Sequence, residues 1–80
     1  MNFRDLHGRL ASYVSTRVHS GELTERGLAR RAGISQPHLH NVLKGKRFLS
    51  LQSADLVLHE LGLSVVDLIE GGGNASVRVP

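Results

Sequence analysis

Apolar residues in the first part of the chain recur at steps of three and four. Phe3, Leu6, Leu10, Val14 and Val18 form one stripe, which predicts an amphipathic helix of about four turns. Asn2 stands before it as a cap, with Asp5 placed to reach back. Gly8 weakens its interior by up to ~1 kcal/mol, and Ser20-Gly21 ends it. A second, short helix opens on Thr24 as N-cap, with Glu25 in the first turn, where a carboxylate favours the helix dipole. Leu28 and Ala32 share a face, and Ala29 is small enough for a neighbouring helix to cross close over it. Gly27, inside so short a helix, is a local cost with no evident local benefit. Gly33 can take the left-handed conformation that closes a helix. Ile34 then fills the corner, and Leu39 and Val42 turn inward from a third helix.

The start of that third helix has two readings. Ser35 suits the cap, and Pro37 is tolerated in a first turn because its missing N–H has no partner there. Proline also disfavours helical angles in the residue before it, which would make Gln36 the cap. Lys44-Gly45-Lys46-Arg47 closes the helix and opens a basic loop. A fourth helix runs from the Ser50 cap through Leu51, Ala54, Val57, Leu58 and Leu61 to Gly62. Ser64-Val-Val-Asp67 is a capping box for a short fifth helix carrying Val65, Leu68 and Ile69. The pattern predicts one all-α, five-helix domain over residues 1–70. A Gly-rich tail, 71–80, follows as a flexible end or an edge strand over Ala75–Val79 that could pair with a second copy.

Two short helices joined by a Gly-containing turn, residues 24–45, are the helix-turn-helix pattern. Composition sharpens this. The 80 residues are 40% apolar with only Phe3, Tyr13 and Phe48 as aromatics, so the core must be mostly Leu, Val, Ala and Ile. There is no cysteine, which excludes disulfides and thiolate metal sites and fits a reducing, cytoplasmic setting. No apolar run approaches the roughly 20 residues that span a bilayer, so no membrane role is expected. The net charge of +3 is unevenly spread. Residues 20–50 set Arg26, Arg30, Arg31, Lys44, Lys46 and Arg47 against Glu22 and Glu25; residues 51–80 set Arg78 against Asp55, Glu60, Asp67 and Glu70. Positive charge concentrated on the helix pair points to a polyanionic partner, double-stranded DNA.

Leu23-Thr24, Leu28-Ala29, Ala32-Gly33-Ile34-Ser35-Gln36, Gly45-Lys46-Arg47 and Leu61-Gly62-Leu63-Ser64 resemble the lambda-repressor/Cro-like (Xre-type) DNA-binding domain over roughly residues 3–70. The resemblance implies a sequence-specific DNA-binding fold and a small bacterial or phage transcriptional regulator, of repressor or antitoxin type. A toxin or other regulatory partner is then possible. The chain departs from the family at two places. Members commonly begin the second helix with a phosphate-contacting Gln, where Glu25 stands here; a carboxylate cannot donate to phosphate, so that contact is absent or moves to Arg26. Pro37 occupies an early recognition-helix position that often carries a polar base reader.

Helical geometry supplies its own contact list. Leu39, Val42 and Leu43 define the buried side of the third helix. Gln36, Pro37, His40 and Asn41 are then the candidates for base edges in a major groove. Gln and Asn can each pair bidentately with adenine, whereas Pro37 offers only apolar contact. Ser35, Arg26, Lys44, Lys46 and Arg47 are the candidates for phosphates, which fix register rather than sequence. His38 and His40, two apart on a helix, point away from each other and cannot share a metal. His7, His19 and His59 show no ligand spacing, so neither a metal nor another cofactor is expected. No nucleophile–base set or phosphate loop appears, and no enzymatic activity is expected. The rival reading is a protein-interaction adaptor on the same scaffold, which needs an exposed apolar groove and no basic ridge. A single recognition helix reads too few base pairs to select a genomic site. A homodimer through the C-terminal third is therefore expected, using the fifth helix, the tail, or both.

Overall fold

The computed structural model describes residues 1–71. It is all-α: α1 Phe3–His19, α2 Glu25–Ala32, α3 Gln36–Leu43, α4 Leu51–Leu61 and α5 Val65–Gly71. Each helix begins where a short polar side chain can take an orphan backbone donor. Asn2 and Asp5 form the reciprocal box on α1, with Asp5 N–H donating to Asn2 Oδ1 at 2.8 Å. Thr24, Ser35 and Ser50 each accept from the backbone three residues on. Ser64 and Asp67 cap α5, the Ser64 N–H donating to Asp67 Oδ2 at 2.8 Å. Ser35 is thus the cap of α3, with Gln36 already helical and Pro37 in the first turn.

Helix ends share one device. Gly33 sits at φ 73°, and its neighbour Ile34 N–H reaches back to the Ala29 carbonyl at 3.0 Å. That is a Schellman closure, and a residue with a Cβ would hold it only under strain. The same back-bonding closes α3, where Lys46 N–H donates to the Asn41 carbonyl at 2.9 Å. Gly27 also finds a reason. A Cβ there would lie 2.8 Å from the Thr24 hydroxyl oxygen, so glycine leaves room for the cap that begins α2.

The core joins Leu10 and Val14 of α1, Leu28, Ala29 and Ala32 of α2, Leu39 of α3, Val57 and Leu58 of α4, and Leu68 of α5. Ile34, at the corner, packs against it partly buried. α2 lies against both α3 and α4, while α1 backs α3 and α5, so the helix pair rests on a floor made by the other three. Two expectations need correction. Phe3 and Leu51, placed on apolar stripes, are 75% and 72% exposed, because each stands at the first position of its helix and overhangs the bundle edge. On α5, Val65, Val66 and Ile69 are exposed and Leu68 is the core residue. Tyr13, left out of the stripe although it stands three residues after Leu10 and seven after Leu6, is buried on the same face, where the Arg17 guanidinium lies 4.8 Å over its ring and donates to its hydroxyl. α5 reaches Gly71; the expected tail strand lies outside the described residues.

Phe3, Phe48, Leu51 and Val65 overlook an open groove of about 370 Å³ between α1, α4 and α5, floored by Leu6, Leu10 and Leu58. Among the described residues no helix is long and apolar enough to cross a membrane.

Candidate nucleic-acid interface

α3 presents its outer side between two sets of cations. Gln36 and Pro37 are fully outward, while Asn41 is half-buried where the helix turns toward its end. Proline removes one first-turn donor, and Ser35 Oγ takes the next, accepting from His38 N–H at 3.1 Å. The helix N-terminus therefore has little backbone left to offer an anion, which shifts the burden onto side chains. Ser35 keeps its own O–H free to donate, since its oxygen is what the cap uses.

His40 does not stand free in the row of expected base readers. Its Nδ1 lies 3.2 Å from Glu25 Oε1. The contact joins the start of α2 to the middle of α3 and turns the Glu25 carboxylate toward α3. In the neutral ring, a proton on Nδ1 donating to that carboxylate leaves the outward Nε2 as an acceptor. Nothing in the local sequence signals this pair, because the two residues are 15 apart.

Arg26 and Arg30 are exposed one turn apart on α2; Lys44 ends α3, and Lys46 and Arg47 follow in the loop, all exposed. Among the described residues Arg17 and Arg31 make salt bridges and His40 bonds to Glu25, and none of these contacts engages these five. Arg31 instead donates to Glu60 at 3.1 Å, which ties α2 to α4. Arg30, which is not among the phosphate candidates of the sequence, thus stands with the unpaired set.

The basic loop is anchored from α1. His7 Nε2 accepts from Leu49 N–H at 3.0 Å, and the His7 ring meets Phe48 edge-on, centroids 4.9 Å apart. The Arg4 guanidinium stands 6.0 Å from the Phe48 ring centre. A sequence separation of 42 residues hid this anchor. Burial holds the His7 pKa below its ordinary value, and the bond to Leu49 needs the unprotonated Nε2. The unfolded chain therefore binds a proton that the folded chain resists. The His7 contribution is complete above about pH 6.5, the ordinary histidine value, and is lost as pH falls below it. Denaturant midpoints should drop between neutral and mildly acidic pH, and His7→Gln, which keeps an acceptor but cannot titrate, should flatten part of that slope. An identical slope in the variant would show that His7 is not its source.

Among the described residues no group of three or more His, Asp or Glu is placed to hold a metal ion. The chain matches no family model, no curated protein and no solved structure.

Proposed function

We propose that this chain is a sequence-specific double-stranded DNA-binding protein of the lambda-repressor/Cro-like type, a small bacterial or phage transcriptional regulator. In this reading α3 enters the major groove, Gln36 and Asn41 read base edges, Pro37 touches a thymine methyl, and His40 presents an acceptor oriented by Glu25. Arg26, Ser35, Lys44, Lys46 and Arg47 hold phosphates, and Arg30 joins them. The observation that carries it is the set of five cations beside the polar outer side of α3 that make no ion pair among the described residues.

The adaptor reading has one observation in its favour, the apolar groove on the α1–α4 side. It leaves the basic ridge without a task. Selection of bound duplexes from a random pool separates the two: enrichment of one motif supports DNA readout, and recovery of an unenriched pool overturns it. On the enriched duplex, Gln36→Ala or Asn41→Ala should each cost ~1–3 kcal/mol and relax one or two base pairs, with little change on random DNA. Equal losses on both duplexes would remove these side chains from sequence reading.

A further inference from the structure

We propose that the groove between α1 and α4 is filled by a second copy of this chain, in a two-fold dimer in which Phe3 of each copy enters the groove of the other. The groove is a hole of about 370 Å³ with apolar walls. Its rim carries its own knobs: Phe3 is 75% exposed, Leu51 72% and Phe48 60%. Knob and hole on one patch is the arrangement a two-fold axis satisfies, since the same surface serves both sides of the contact.

Charge agrees with this occupant. The charged side chains lining the groove are Arg4 on the α1 wall and Asp55 on the α4 wall. A two-fold axis along the groove exchanges the walls, setting each Arg4 against Asp55 of the other copy. A uniformly charged partner would meet attraction on one wall and repulsion on the other. His7, unprotonated and bonded to Leu49, adds no charge to the floor.

Area sets the strength. The exposed parts of Phe3, Phe48, Leu51 and Val65 amount to something on the order of 400 Å² per copy. A stable dimer buries about 800 Å² per partner, so this one is weak, assembling at high micromolar to millimolar concentration. The proposal does not rest on DNA binding and is tested without DNA.

The experiment is a concentration series on the full chain, from tens of micromolar to the millimolar range, read by sedimentation and by amide chemical shifts. The amides of Phe3, Phe48 and Leu51 should move with concentration while those of Gln36 and Asn41 stay still. Leu51→Glu should weaken association by at least about tenfold. Arg4→Glu and Asp55→Arg should each weaken it a few-fold, the scale of exposed pairs, and the double variant should recover it. All three substituted positions are exposed, and unchanged helical circular dichroism checks the fold. A monomer at the highest concentration overturns the proposal. So do concentration-dependent shifts centred on Val66 and Ile69, which would make the outer face of α5 the interface. Groove shifts on deleting residues 72–80 at constant mass would make the tail the occupant and overturn it equally. A double variant as weak as the single ones would overturn the two-fold arrangement.

Discussion

Leu28→Ala should remove ~2–5 kcal/mol of stability, the range for emptying a closed leucine site. Leu28 has no exposed surface. It sits on α2, the helix that touches both α3 and α4, so the cavity would open where the helix pair meets its floor. Domains of this size have in total about 0.05–0.15 kcal/mol per residue, and the loss is then a large share of the whole. Each kcal/mol should lower Tm by ~4–8 °C. Urea titration should show a lower midpoint with an unchanged slope, because the unfolded chain exposes the same surface. The comparison is Leu51→Ala, an exposed leucine of the same chemistry, which should cost little. A loss below ~1 kcal/mol at Leu28 would mean that α2 is not held by a closed core.

That contrast also marks how far the sequence carries. Periodicity located all five helices, because the information for a helix is local: a cap, a stripe and a glycine stop lie within one element. Thr24 with Gly33, and Ser50 with Gly62, bracket α2 and α4 without reference to anything distant. Periodicity says which residues share a face, but not whether another layer lies opposite. Phe3 and Leu51 keep the helical period and still face outward, since they overhang the bundle at first-turn positions. Tyr13 keeps the same period, seven residues after Leu6, and is buried, with the Arg17 guanidinium one turn on lying over its ring.

The candidate site divides along the same line. Gln36 and Pro37 are outward as helical geometry requires. The placing of the His40 ring depends on Glu25 across the helix pair, and the fixed end of the basic loop depends on His7 in α1. Both are pairings between elements, which no stripe reports. Glu25 shows the consequence. Read alone, a carboxylate at the start of α2 would repel phosphate; turned onto His40 and 23% exposed, it orients a neighbouring side chain instead.

The proposed phosphate contacts lead to a large effect of salt. Each neutralised phosphate releases counterions, so log K falls against log salt with a slope of about −0.9 per contact. With about 4 to 6 contacts per protomer, a fourfold rise in salt should weaken binding by roughly 10²–10³ per protomer. Lys46→Ala or Arg47→Ala should each lower the slope by about one unit and leave the preferred motif intact, because phosphates are the same at every sequence. Arg31→Ala is the internal control: its guanidinium is occupied by Glu60, so its loss should leave the slope where it was. If the slope is unchanged in Lys46→Ala and Arg47→Ala, those side chains do not touch the phosphates. If Arg31→Ala moves it as much as they do, the effect reports net charge at a distance, and the loop after α3 has no special place on the DNA.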